Sequence, residues 1–395
     1  MSTAIFNTNS SSFYFPVNVT ILIVVCSLMS PLTSTFAQGQ PPGDTNKNNL
    51  DSLDIMIGQM IMTGIGDFSY MSEDESILYE IARGYVGGVI FFEKNINPSG
   101  PARQLKRTID SLQAVAQIPL FVSIDEEGGK VTRLKSKYGF PKTVTAAYLG
   151  KVDDIDSTDF YATKTATNLA QLGFNLNYAP DVDVAVNPNN PVIAKVGRSY
   201  SADERLVAKH AGQVVKSHRD QNVLTVLKHF PGHGSSHSDT HLGIADVTDY
   251  WQFRELMPYK TLLDSNLVDG IMTAHIVNGH LDETKLPATL SPSIISNILR
   301  GVLNYNGVVF SDDMQMHAIS KHYGFEQSIK LAIEAGVDVI MFANNVPGNQ
   351  KRNASEIHTA IKELVIQGII SSERIKISFD RILQLKSKLN KHYAE

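Results

Sequence analysis

The chain has 395 residues, 43% hydrophobic and 19% charged, with a formal net charge of −5 and no low-complexity block. That is the composition of an ordinary soluble globular protein, long enough for one large barrel or two smaller domains. No basic cluster stands out, which argues against nucleic acid as a partner, because phosphate binding needs concentrated Lys and Arg.

Residues 1–37 carry no charged side chain, and Val17 to Met29 is an apolar run. Thr35-Phe36-Ala37 then forms a small-x-small site ahead of Gln38, so the segment reads as a secretory signal peptide, with an uncleaved anchor or a mis-assigned start as alternatives. Such a signal implies a secreted or periplasmic protein without stable membrane insertion after cleavage. The single cysteine, Cys26, lies inside this segment, so the mature chain has no disulfide framework and no thiol nucleophile. Residues 38–50, QGQPPGDTNKNNL, read as a disordered leader.

From residue 51 onward, short apolar runs alternate with amphipathic stretches. Strands are predicted at 58–64, 87–92, 119–124, 174–179, 223–228, 268–274, 307–312 and 337–343. Helices are predicted at 101–116, 158–172, 203–220, 253–265, 292–304, 325–335 and 372–390. β-Branched runs without polar alternation suit strands buried on both faces. Eight of them interleaved with helices predict an α/β fold, a single-domain (β/α)8 TIM barrel over 51–395. A doubly wound open sheet competes, but no G-x-G-x-x-G follows the first strand.

Barrel enzymes carry their chemistry at the C-terminal ends of strands. Those positions hold Asp125 and Glu126 after the third strand, Lys228 and His229 at the fifth, His275 at the sixth, and Asp312 and Asp313 at the seventh. Asp312 is the candidate nucleophilic carboxylate, and Asp313 reads as a helix N-cap.

The stretch 228–241, KHFPGHGSSHSDTH, brings titratable groups to a loop after an apolar strand. Asp239 and His241 stand two apart; a carboxylate on an imidazole fixes its tautomer and stabilises its protonated form. Imidazole suits proton exchange near neutral pH, and a solvated Ser/His-rich loop is the plainer alternative. Histidines 229, 233, 237 and 241 recur every fourth residue, but Pro231, Gly232 and Gly234 preclude a helical metal face. No H-E-x-x-H motif is present, so neither metal nor cofactor is expected; His229 and His233 are expected to be partly buried and hydrogen-bonded.

These residues resemble glycoside hydrolase family 3, in its β-N-acetylhexosaminidase branch, over about residues 51–390. The resemblance rests on IDEEGGKVTR (124–133), the NP…GRSYSAD segment (187–203), KHFPGHG with DTH (228–241), FSDDM (310–314) and EAGVDVIMF (334–342). It implies Asp312 as nucleophile, His241 as general acid/base with Asp239 as its partner, and Asp125, Arg133, Arg198, Lys228 and His229 as ligands of the sugar hydroxyls. The usual I-G-x-R-S-F is lengthened here to Ile193-Ala194-Lys195-Val196-Gly197-Arg198-Ser199-Tyr200, which displaces Arg198. Lys130 stands where Arg is common and Glu126 where Gln is frequent.

The implied reaction is retaining hydrolysis of a β-linked N-acetylglucosaminide from peptidoglycan fragments or chitin oligosaccharides; a monomer is the default expectation. Histidine as the acid departs from the usual pair of carboxyl groups about 5–5.5 Å apart. A neutral imidazole repels an incoming anion less than a carboxylate does, which leaves phosphorolysis as an alternative. A metal-dependent hydrolase and a non-catalytic sugar-binding barrel are the rivals from other classes.

Overall fold

The computed structural model describes residues 52–66, 75–240 and 243–389. The expected signal peptide, the expected leader and His241 lie outside these residues. Among the described residues, no helix is long and apolar enough to cross a membrane.

In chain order the strands are β1 (Ile61–Gly64), β2 (Gly88–Phe91), β3 (Phe121–Ile124), β4 (Leu176–Asn177), β5 (Leu224–Phe230), β6 (Ala245–Asp246), β7 (Gly270–Thr273), β8 (Ile276–Val277), β9 (Val308–Asp313) and β10 (Val339–Phe342). Eight of them close a parallel barrel in the order β1-β10-β9-β7-β5-β4-β3-β2, while β6 and β8 form a separate two-stranded parallel pair. This is the (β/α)8 barrel that the alternation of apolar runs predicts.

Apolar side chains fill the barrel. Phe310 contacts Phe121 and Tyr178 edge-on, with ring centroids 6.0 and 5.9 Å apart. Gly270 is required there: a Cβ would come within 2.7 Å of the Phe310 ring.

Departures from the predicted elements have local causes. The first predicted strand starts too early, because 58–59 belong to the helix Ser52–Gln59. Strand β4 pairs over two residues only, since Pro180 soon follows and has no N–H for a ladder. Strand β5 runs on to Phe230 and takes His229 into the wall. The stretch 253–265 divides into a 3-10 turn Phe253–Leu256 and the helix Met257–Asp264, with Pro258 in its first turn.

Carboxylates just ahead of the strands knit the floor. Asp338 accepts from Val309 N at 3.0 Å and from Arg300, Arg381 and Ser378 side chains at 2.7, 3.2 and 2.7 Å. Asp269 accepts from Thr225 N at 3.2 Å, Arg219 at 3.1 Å and Lys388 at 3.1 Å.

Candidate active site

The loop after β3 begins the site. Glu127 N and Gly128 N both donate to Val131 O at 3.0 Å, folding the chain back on itself. Gly128 has φ +98°, and a Cβ there would meet Val144 O at 2.4 Å, so this turn demands glycine. The reversal returns Arg133 to Asp125, guanidinium to carboxylate at 3.1 Å. Glu126 points away, accepting from Arg133 N at 2.8 Å and Leu134 N at 3.1 Å; it shapes the loop and stays outside the cavity.

From β5, the buried Lys228 ammonium reaches both Asp125 Oδ1 and Glu127 Oε1 at 2.7 Å. Arg198 donates Nε and Nη2 to the two Glu127 oxygens at 2.8 and 2.7 Å. The additional residues before Arg198 loop out in tight turns, with Lys195 N on Asn190 O and Gly197 N on Ala194 O, both at 3.0 Å. Arg198 therefore still reaches the cavity.

His229 is read from both sides. The Arg198 guanidinium donates to its Nε2 at 3.2 Å, so Nδ1 carries the proton and donates to Asp183 at 2.8 Å. Asp183 also accepts from His233 N at 2.6 Å. Both histidines are buried; the His229 ring is hydrogen-bonded as expected, whereas His233 is held through its backbone and its buried Nδ1 has no hydrogen-bond partner among the described residues.

These contacts set the charge states. Burial pushes the Asp125 carboxyl up, but Lys228 and Arg133 outweigh it and hold the group well below the usual carboxylate range. Burial opposes ionisation of Glu127 too, and Arg198 and Lys228 bring it down to about 2. Asp181 goes the other way: burial, then the neighbouring Asp183 and Glu127 charges, raise it well above the ordinary value. Burial lowers the His233 imidazole to about 4.

Strand β9 supplies Asp312, half-buried, whose Oδ1 accepts from Asp313 N at 2.7 Å. Asp313 does not cap a helix. Its Oδ1 accepts from Gln315 N at 3.0 Å and Ala343 N at 3.2 Å, tying the end of β9 to β10, and the next helix starts only at His317. His275 is buried between Thr289 Oγ1 at 2.8 Å and Asp313 O at 2.9 Å, a supporting position under the rim.

One cavity of about 490 Å³ at the barrel mouth gathers Asp125, Arg133, Arg198, Lys228, His229 and Asp312. Its β3–β5 side is charged. Its β7–β10 side is apolar, with Met272, Met316, Met341, Val346 and Pro347. Asp239 is half-buried on the loop after β5. The next residue, Thr240, accepts at its carbonyl from Ala318 N at 3.3 Å, beside cavity-lining His317. The backbone leading into His241 is thus tied to the same rim as Asp312.

Among the described residues, Asp181, Asp183 and His229 form a trio spaced to hold a metal ion. Arg198 already lies against it, Nε 3.3 Å from Asp181 and Nη2 3.2 Å from His229. A cation is built into the place an ion would take.

Sequence reasoning missed Glu127, Asp181, Asp183 and His317. Glu127 is the third acid of a strand-end run, and Asp181 and Asp183 follow β4 at the mouth. The rule that picked Asp125 and Asp312 applied equally to all three.

Comparison with known proteins matches residues 52–385 to the glycosyl hydrolase family 3 N terminal domain. Beta-hexosaminidase A of Pseudoalteromonas piscicida is 33% identical over 334 residues, which is 78% of this chain and 54% of that protein. A beta-hexosaminidase of Alkalilimnicola ehrlichii is 31% identical over 301 residues, 74% of this chain and 82% of its own length. Among solved structures, a family 3 β-N-acetylglucosaminidase from a Paenibacillus species has a TM-score of 0.76 at 35% identity, covering 86% of this chain and 63% of that one. The chain thus spans about half the length of the Pseudoalteromonas relative and under two thirds of the Paenibacillus enzyme.

Proposed function

The chain belongs to glycosyl hydrolase family 3, and from that premise we propose that it is a retaining β-N-acetylhexosaminidase. It removes terminal β-linked N-acetylglucosamine from peptidoglycan fragments or chitin oligosaccharides. The observation that carries this reading is the single mouth cavity shared by Asp312 and the charged set Asp125, Arg133, Arg198, Lys228 and His229. The names of the relatives support the same activity.

In the first step the Asp312 carboxylate attacks the anomeric carbon as the glycosidic C–O bond breaks. His241, oriented by Asp239, gives its proton to the departing oxygen. In the second step neutral His241 takes a proton from water, the water oxygen bonds to the anomeric carbon, and Asp312 leaves. The charged wall holds the sugar hydroxyls: Arg133 and Lys228 donate, Asp125 accepts, and Arg198 and His229 keep that wall in register. The methionine-rich wall suits the methyl of an acetamido group. Its burial favours N-acetylglucosamine over glucose by about the value of one methyl, ~0.8 kcal/mol.

An aryl N-acetylglucosaminide tests the reading. Wild type is expected to release the aryl group and form free sugar, and Asp312→Asn to do neither; turnover surviving in Asp312→Asn refutes the assignment. Sugar-1-phosphate in phosphate buffer would instead identify phosphorolysis, and loss of activity after chelation would identify a metal hydrolase. We further propose a secreted or periplasmic monomer, checked by N-terminal sequencing of the mature protein and by its sedimentation.

A further inference from the structure

Of the four loop histidines, His237 has no part in the mechanism above and does not line the cavity. It is exposed, with its ring centroid 4.2 Å from that of Tyr250, itself 51% exposed. We propose that Tyr250, backed by His237, is a stacking platform for a distal ring of the substrate, a subsite for neutral β-linked N-acetylglucosamine oligosaccharides beyond the bond that is cut. This rests on the hexosaminidase reading and names its substrate class.

Position is the first argument. Thr240 is tied to the cavity rim through Ala318 N. It lies three positions along the chain from His237, with two residues between them, so the extended chain bounds their separation at about 10–11 Å. The platform is therefore placed for a third sugar ring of a chain whose terminal residue fills the cavity, one ring beyond the place an aryl aglycone takes.

Rigidity is the second. Tyr250 N donates to Val247 O at 3.0 Å, and the adjacent Trp251 donates its indole N–H to Pro231 O at 3.2 Å. Buried Glu255 accepts from Ser235 N and Gln252 N, both at 3.2 Å, clamping the platform segment to the loop. An exposed ring on anchored backbone is pre-organised for a ligand, and a pyranose presents a C–H face that such a ring can cover.

Charge selects the class. Between Ser235 and Phe253 the chain carries Asp239, Asp246 and Asp249 and no Lys or Arg. Lys285 lies within electrostatic reach of Asp246, and Arg254 is engaged by Glu204 at 3.4 Å. The platform surface is thus acidic, which disfavours a carboxylate-bearing muramic aglycone and admits an uncharged chitin-type chain.

The test compares kcat/KM on chitotetraose and on an aryl N-acetylglucosaminide for wild type, Tyr250→Ala, Tyr250→Phe and Phe160→Ala, the last removing an exposed ring from the outer helix Ile155–Leu172. Tyr250→Ala is expected to lose about three- to tenfold on chitotetraose with the aryl substrate unchanged, the size of one aromatic contact. Tyr250→Phe and Phe160→Ala are expected to match wild type on both. Trp251, the only tryptophan, is expected to change its fluorescence when Asp312→Asn binds chitotetraose. Equal losses on both substrates would make Tyr250 a loop support, and no loss on chitotetraose would remove the subsite. Faster cleavage of a muramic fragment than of chitotetraose would overturn the charge argument. Wild type that cleaves neither substrate would overturn the hexosaminidase reading itself.

Discussion

Both ends of the barrel bury carboxylates against cations, and the contrast between them separates stability from chemistry. At the floor, Asp338 and Asp269 each bond a strand N–H as well as their cations, so backbone and charge close on one another. At the mouth, Asp125 and Glu127 share Lys228, with Arg133 on the first and Arg198 on the second, and the network faces a cavity that Asp312 also lines. The same chemistry therefore holds strands together at one end and presents donors and acceptors to a ligand at the other.

The sharpest way to break the contrast is at Asp312. Asp312→Asn should lower kcat on an aryl N-acetylglucosaminide by at least about a thousandfold with the melting temperature held within a few degrees. Next comes the proposed proton donor. His241→Ala or Asp239→Ala should cost roughly 10²–10⁴-fold in kcat on chitobiose, with a smaller loss on an activated aryl leaving group, which needs less protonation. Lys228→Met should harm both properties, since it strands two buried carboxylates, an uncompensated charge worth about 3–5 kcal/mol. Unfolding in denaturant and kcat/KM on the same variant check this together.

The floor gives the opposite signature. Asp338→Ala leaves Arg300 and Arg381 without their buried partner and should cost about 3–5 kcal/mol of stability in denaturant titration, while folded protein keeps the wild-type kcat. A large kcat defect in folded Asp338→Ala would collapse the distinction between the two ends.

The smallest effect concerns pH. Burial raises the Glu255 carboxyl beneath the loop from 4.5 to about 8. Between those values the folded state holds a proton that the unfolded state has released, so stability falls as pH rises through that window and levels off above it. Glu255→Gln should flatten that slope. The difference between wild type and variant from pH 6 to 8 is expected to be on the order of 2 °C in melting temperature.

The barrel was legible because its strands are apolar on both faces and separated by amphipathic helices. Asp125, Lys228, His229 and Asp312 were legible because each directly follows or ends such a strand. Arg198 reaches the cavity through a loop whose insertion shifts it along the chain, so spacing alone misjudges it. The role expected for Asp313 went to turn and neighbouring-strand N–H groups, because β9 runs through Asp313 itself and the helix starts at His317. The helix Ala354–Ile366 carried a readable signal, Asn353 and Glu356 capping each other's N–H groups at 2.8 and 3.1 Å, that apolar periodicity alone passes over. The pairing of Asp183 with His229 and His233 joins two strand ends 46 residues apart and has no local signature.

The most direct measurement is to trap the intermediate with a slowly turned-over fluorinated N-acetylglucosaminyl fluoride and locate the added mass by peptide sequencing. One glycosyl group on Asp312, formed in wild type and absent in Asp312→Asn, is the expected result. A label on another side chain, or rapid turnover through Asp312→Asn, would contradict the assignment of the mouth as a two-step glycosidase site.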